Sequence, residues 1–434
     1  MDAQSGIVTA AARPRSAVSA GVGWAGLAGL LAWMMVARAW GMQGPLAALC
    51  GLVACGVPMV AWSLLVDKVH RNASTGIDWQ VPPRPWSESF DISLAKIVGL
   101  WATWAGIASL YCIARWYWDG NYLFAMNVLG VGSLPLLVLS VPYVLWLDRR
   151  LKEPRDGAWQ LGRMIAGKGL PEDREVLWDY LRSWAVKGFF LAFMISILPG
   201  NWADAVRPAA EEIAAQPLNL VRWLIAVLFM IDVSFATIGY MLTLKPLDAH
   251  IRSANPYAAG WAAALICYPP FILMNAGGPL DYHPGTGDWT YWLEGYPLAM
   301  TLVGLLLVLL TAIYAWATVA FGLRFSNLTH RGILTHGPYA WTKHPAYLSK
   351  NLFWWLGTLP FLSVSGNMVE MVRNTAILAI VSGVYYWRAR TEERHLSEDP
   401  AYREYAAWMA EHGPLAKAVR WLRSRPATGP VAAE

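Results

Sequence analysis

The chain alternates along its whole length between long apolar segments and shorter polar ones. A helix needs about 20 mostly apolar residues to cross the hydrocarbon core of a bilayer. By that criterion the pattern predicts an all-α, polytopic integral membrane protein with about ten transmembrane helices. The predicted spans are roughly residues 20–40, 44–66, 93–114, 122–147, 184–200, 218–243, 257–276, 296–322, 346–364 and 369–387.

The basic residues between these spans predict the orientation. With a cytoplasmic N-terminus, the inner segments hold most of the Lys and Arg, including eight between residues 149 and 182. The outer segments hold only scattered basic residues, such as Arg38 and Arg115. The positive-inside rule then favours an even number of spans with both termini in the cytoplasm. We expect a protein of a bacterial inner membrane.

Composition agrees with a membrane protein and narrows the function. Charged residues are 15% of the chain, against about 25% in soluble domains. The net charge of +5 therefore reports topology, and no nucleic-acid partner is expected. The four cysteines lie in apolar runs without CxxC pairing or histidine clustering, so no metal site is predicted.

The longest inner loop, residues 148–183, is partly amphipathic, with the segments WQLGRMIAGKGL and EVLWDYLRSW. This pattern is typical of a helix that lies along the inner leaflet, where basic side chains meet anionic lipid. It is equally typical of a solvated surface helix, and both interpretations stay open.

One acidic residue, Asp232, lies in the middle of a predicted span. An acid at membrane depth is costly and is by default functional or paired. Arg222 on the same span is about 15 Å away along a helix, too far for a direct ion pair. Asp232 is therefore either part of a substrate cavity or the acceptor of a structural hydrogen bond from another helix.

The segment from Arg324 to Asn351, RFSNLTHRGILTHGPYAWTKHPAYLSKN, interrupts the apolar pattern near the end of the chain. Gly337-Pro338 and His344-Pro345 break helices. At a membrane, the freed backbone groups must be buried in protein or line a cavity. With His344, Tyr339 and Tyr347, such a cavity has groups to hold an adenosine and an amino-acid moiety. The alternative is an ordinary interfacial loop with belt aromatics.

A second polar cluster follows the last predicted span, in YYWRARTEERHLSEDPAYREYAAWM. Its charges are typical of a solvated surface. However, Glu392 and Glu393 lie at a helix end, within reach of the preceding span. Adjacent carboxylates there accept hydrogen bonds from ribose hydroxyls or an ammonium group and pair with a cationic sulfonium.

Together, GPYAWTKHPAY, a short apolar hairpin, RxxxEExxL from Arg388 to Leu396, and Tyr402 and Tyr405 resemble the isoprenylcysteine carboxyl methyltransferase family. That family belongs with the membrane phospholipid N-methyltransferases. The resemblance covers about the last hundred residues. It implies a methyltransferase module at residues 296–434, preceded by a membrane helical region of unassigned role at residues 1–295.

The resemblance also implies S-adenosylmethionine as cofactor and a set of residues around it. The implied cofactor contacts are Ile333, Leu334, Tyr339, His344, Pro345, Ala346, Tyr347 and Glu392. Arg388 maps beside the methyl acceptor, where it and Asp232 belong to the predicted substrate cavity. Two departures stand out: Lys343 replaces the family's arginine before HPxY, and Leu348-Ser349-Lys350 replaces the small residue after the tyrosine.

The implied reaction is a direct displacement in which an acceptor heteroatom attacks the sulfonium methyl group, with positioning and desolvation supplied by the enzyme. The acceptor is a lipid or small hydrophobic molecule that enters from the bilayer. A carboxylate acceptor needs no base and would be held by Arg388. An amine or hydroxyl acceptor needs one, and Glu393 and His344 are the nearest candidates, so Arg388 and Glu393 are the predicted catalytic residues.

Two other functions stay open. Membrane reductases of the sterol C14-reductase type also have about ten helices and a related C-terminal bundle, and they bind NADPH. HPAY, in place of their RHxNY-like segment, and the adjacent glutamates argue against that class. A transporter or lipid-binding scaffold with a decayed site is the third possibility, and the intact motif residues argue against it.

Overall fold

Eight helices are long and apolar enough to cross a bilayer in the computed structural model, which describes residues 12–414, 416–417 and 420. The fold is therefore that of an all-α integral membrane protein. The eight helices are α1 (Ala20–Ala39), α2 (Pro45–Ala61, continued by a π-helical turn to Val66), α3 (Trp86–Ile113), α4 (Gly120–Asp148), α6 (Arg174–Val206), α8 (Pro217–Met241), α11 (Pro297–Ala320) and α13 (Met368–Leu396).

Two of the ten predicted spans are shorter than full crossings. The segment 257–276 contains only an eight-residue helix, α9 (Ala258–Leu265), because Pro269 and Pro270 follow it in a series of turns. The segment 346–364 contains α12 (Pro345–Thr358), which ends at Leu359 in a left-handed conformation. Fourteen residues at about 1.5 Å each give roughly 21 Å, less than the ~30 Å hydrocarbon core.

The remaining elements are short and connect the long helices. They are α5 (Gly157–Ile165), α7 (Ala210–Ala215), α10 (Trp289–Trp292), α14 (Pro400–His412) and the strands β1 (Ser253–Ala254) and β2 (Thr329–His330). The two strands pair antiparallel, with Ser253 opposite His330. This pairing fastens the α11–α12 connector, residues 321–344, to the segment that follows α8.

The amphipathic loop helix α5 packs tightly against α3. A side chain at Gly99 or Gly162 would collide with the backbone of the other helix, so glycine permits the close approach. Buried Lys96 lies 2.6 Å from Asp148 and 3.0 Å from Asp156, the N-cap of α5. This ion network explains why the helix lies against the bundle instead of being a freely solvated surface helix.

The core of the bundle lies between α1, α2, α6 and α8, where Leu30, Met59, Trp202 and Phe235 are fully buried. Helix α8 also packs along α11. The C-terminal elements α12 and the connector pack against these two helices.

The N-terminal segment, residues 14–17, lies along the connector. The Ala17 amide donates to the Ile333 carbonyl at 2.9 Å, and the Thr335 hydroxyl donates to the Pro14 carbonyl at 2.7 Å. Ser16 Oγ is 2.8 Å from His336 Nδ1. Residues 14–17 thus stabilise the position of the connector.

Candidate functional site

A pocket lies between the end of α11, the connector, the facing sides of α12 and α13, and α14. Its wall is rich in aromatic side chains and also contains an acidic residue, Glu392, and several basic ones. A few charged groups on an otherwise aromatic wall are typical of a ligand-binding pocket.

The pocket brings together all eight predicted cofactor contacts and Arg388. These residues are Ile333, Leu334, Tyr339, His344, Pro345, Ala346, Tyr347, Glu392 and Arg388. Glu393 and Asp232 are absent from its wall. The two motifs, which are more than 40 residues apart in sequence, therefore meet in one cavity.

The HPAY segment is shaped by the start of α12. His344 precedes the helix and Pro345 occupies its first turn, where a missing amide proton leaves no hydrogen bond unmade. The rings of His344 and Tyr347 are nearly parallel, with centroids 5.7 Å apart. The Tyr347 hydroxyl donates to Glu392 Oε1, which joins α12 to α13 across the pocket.

Glu393 is not part of the pocket wall and lies in a cluster of cations. Its carboxylate lies 2.5 Å from Lys343 Nζ, 3.1 Å from His344 Nε2 and 3.0 Å from Arg390. Lys343, the residue before HPAY, therefore pairs with Glu393. The contact with His344 ties the HPAY segment to α13. This placement is that of a positioning group, and the catalytic role predicted for Glu393 stays a prediction.

Arg388 is deeply buried, 3% exposed, among aromatic rings. Its guanidinium carbon is 5.7, 5.1 and 5.2 Å from the ring centroids of Tyr268, Tyr347 and Tyr385. One terminal nitrogen donates to Asn327 Oδ1 at 3.3 Å, and Nε has no hydrogen-bond partner among the described residues. The guanidinium therefore retains capacity to bind an acceptor group in the pocket.

The sequence reasoning missed Lys350, which also lines the pocket. Its ammonium lies 5.4, 5.3 and 5.7 Å from the ring centroids of Tyr314, Trp354 and Tyr385. The available signal was helical spacing, because Tyr347, Lys350 and Trp354 recur every three to four residues on one face of α12.

Asp232 lies one layer behind the pocket. It accepts a hydrogen bond from the Tyr314 hydroxyl at 3.0 Å and another from Thr318, both on α11. Tyr314 and Thr318 themselves line the pocket. Asp232 is therefore hydrogen-bonded to another helix and does not itself line the pocket, and its predicted place in a substrate cavity stays a prediction.

The wall formed by the connector depends on Arg331. Its guanidinium donates to five backbone carbonyls at the end of α8, in the segment that follows it, and at the start of the connector: those of Gly239, Leu242, Ala249, Leu323 and Phe325. Burial lowers the pKa of Arg331 to about 9. Nearby, burial raises the pKa of the Tyr339 phenol well above its usual value, and the Tyr339 carbonyl accepts from Tyr405 of α14 at 2.7 Å.

These features define a polytopic helical membrane protein with an aromatic, mixed-charge pocket at one end of its last helices. Residues 269–409 match the model of a family of proteins of unknown function, DUF1295. The match covers about a third of the chain, and it contains most of the pocket wall. No curated protein and no solved structure matches the chain.

Proposed function

We propose that this protein transfers a methyl group from S-adenosylmethionine to a lipophilic acceptor at the membrane surface. The observation that carries the proposal is the convergence of His344, Tyr347 and Glu392 in one pocket with buried Arg388. The proposal extends to S-adenosylmethionine as cofactor and to a bacterial inner membrane with both chain termini in the cytoplasm.

The residues of the pocket fit this cofactor in charge and in aromatic character. When bound, S-adenosylmethionine supplies an electrophilic methyl group on a cationic sulfonium. Glu392, held by Tyr347, offers a carboxylate to cationic or hydroxyl groups. The connector between Ile333 and Tyr339 offers apolar and aromatic surface.

Arg388 is the residue proposed to hold the acceptor. It is buried in the same pocket as Glu392, one helical turn away on the same face of α13. The acceptor would enter from the bilayer, and the aromatic wall would exclude water from the reacting atoms.

The test is cofactor binding to purified protein in detergent, measured by calorimetry with S-adenosylmethionine, S-adenosylhomocysteine and NADPH. Micromolar binding of the first two alone is expected. Glu392→Gln and His344→Ala should each weaken that binding by about tenfold, the equivalent of ~1.4 kcal/mol. Glu404→Gln is the matched control, because it makes the same acid-to-amide change at an exposed position of α14. Normal binding by both pocket variants would show that the site is wrongly assigned.

The second function that stays open is an NADPH-dependent membrane reductase. The match to DUF1295, a family of proteins of unknown function, does not distinguish it from a methyltransferase. Binding of NADPH alone in the same calorimetric series would support this class and would refute the role proposed for Glu392. If none of the three nucleotides binds, a lipid transporter or scaffold becomes the leading hypothesis.

A further inference from the structure

The acidic and the basic side chains of the pocket lie at different positions along its length, because they come from successive turns of two facing helices, α12 and α13. Tyr347, Lys350 and Trp354 follow one another along α12, and Tyr385, Arg388 and Glu392 occupy one face of α13 at helical spacing. Tyr347 contacts Glu392, while Lys350 contacts the ring of Tyr385 about two turns away. The acidic group therefore lies at the HPAY end, and the two cations lie deeper.

Lys350 and Arg388 lie against the same aromatic ring. The Lys350 ammonium is 5.7 Å and the Arg388 guanidinium 5.2 Å from the centroid of Tyr385. Aromatic faces attract cations, by about 0.5–2 kcal/mol each. Because the aromatic rings here already contact Lys350 and Arg388, the deep end of the pocket favours an anion over a cationic sulfonium.

The two cations are not neutralised by the protein at close range. Within the described residues, no carboxylate lies within 4 Å of either charged group. Tyr314 contacts both Asp232 and Lys350: its hydroxyl donates a hydrogen bond to the Asp232 carboxylate, and its ring faces the Lys350 ammonium. An uncompensated buried charge costs several kcal/mol, and an anionic ligand group relieves that cost.

We propose that Lys350 is a specificity-determining residue that, together with Arg388, binds the carboxylate of a lipophilic acid as the methyl acceptor. This inference rests on the proposed methyltransferase function and narrows its acceptor to acids. A carboxylate oxygen forms the new bond to the methyl carbon as the carbon–sulfur bond breaks, and the electron pair of that bond stays on sulfur. No proton is transferred. The product is a neutral ester, which loses its attraction to the two cations.

The experiment compares three twelve-carbon probes, dodecanoate, methyl dodecanoate and dodecylamine, by calorimetry in nanodiscs, with empty nanodiscs subtracted. We expect the wild-type protein to bind dodecanoate about tenfold or more tightly than the ester or the amine, because charge-assisted hydrogen bonds are the strong ones. Lys350→Met should remove that preference, and Lys350→Arg should keep most of it. Lys168→Met, at an exposed position before α6, is the matched control.

S-adenosylhomocysteine binding is measured on the same samples and separates the two hypotheses. Loss of dodecanoate preference in Lys350→Met with normal S-adenosylhomocysteine binding supports the inference and shows that the variant is folded. Equal binding of acid and ester by the wild type, or an unchanged preference in Lys350→Met, overturns the inference even if S-adenosylhomocysteine binds. A Lys350-dependent preference without S-adenosylhomocysteine binding keeps the anion site and refutes the methyltransferase function.

Discussion

Substitution of Glu393 distinguishes a positioning role of this residue from a catalytic one. Glu393→Gln keeps the shape of the side chain but removes the charge that faces Lys343, His344 and Arg390. Arg390 is 62% exposed, so its pair contributes at most about 1 kcal/mol. Lys343 and His344 are more enclosed, and Lys343 is 2.5 Å away.

The expected loss of stability follows from the interactions of Glu393 with Lys343 and His344. Hydrogen bonds to charged groups contribute about 1.5–3 kcal/mol in buried surroundings, and partial exposure of Lys343 reduces that figure. We expect Glu393→Gln to destabilise the attachment of the HPAY segment to α13 by roughly 1–2 kcal/mol. If the attached conformation is the one that binds cofactor, the dissociation constant rises by about 5- to 30-fold.

The assay is calorimetric titration with S-adenosylhomocysteine, followed by turnover measured at saturating cofactor. Arg390→Gln is the control, since it removes only the exposed partner and should change the dissociation constant less than about threefold. A positioning role predicts weaker binding with nearly normal turnover once the site is saturated. Unchanged binding with turnover reduced about 100-fold or more would refute this reasoning and support Glu393 as a general base.

Two further predictions concern the pocket and its surroundings. Arg388→Ala should reduce turnover by about 100-fold or more while S-adenosylhomocysteine binding stays within about threefold of the wild type, because Arg388 is assigned to the acceptor; a parallel loss of both would place it at the cofactor instead. Burial lowers the pKa of His330, 3.1 Å from Asp399, to about 4 from its ordinary 6.5. Because the folded state resists protonation, the contribution of His330 to the free energy of unfolding, present above pH 6.5, should fall by about 1.4 kcal/mol for each pH unit between pH 6.5 and 4. His330→Asn should flatten that part of a thermal-denaturation profile, and an unchanged slope would show that His330 is not responsible.

Much of the fold could be predicted from hydrophobicity because a bilayer accepts few structures besides long apolar helices. The predicted count of ten spans was approximate because two apolar segments contain a helix end that their composition does not reveal. Pro269 and Pro270 end the helical potential of one apolar segment, and Leu359 closes α12 after about four turns. Hydropathy averages over a window and does not register either event.

The candidate pocket could be predicted in outline because its motif residues lie close together within two short segments. The partners of those residues could not, because their contacts depend on how the chain packs and not on any sequence pattern. Tyr268 and Asn327 contact Arg388 from outside both motifs, and Arg331 fixes the connector through backbone carbonyls that carry no sequence signature. Lys350 was read only as a departure from a family pattern, since its aromatic surroundings depend on the packing of α11 and α13.

The attachment of residues 14–17 to the connector has a consequence for biosynthesis. Ser16 and His336, which contact one another, are 320 positions apart. Residues 14–17 are synthesised long before residues 333–336, so their hydrogen bonds to the connector form only after the connector itself has left the ribosome. A chain that stops short of the connector therefore lacks this wall of the pocket, and competence to bind a ligand there arises late in assembly.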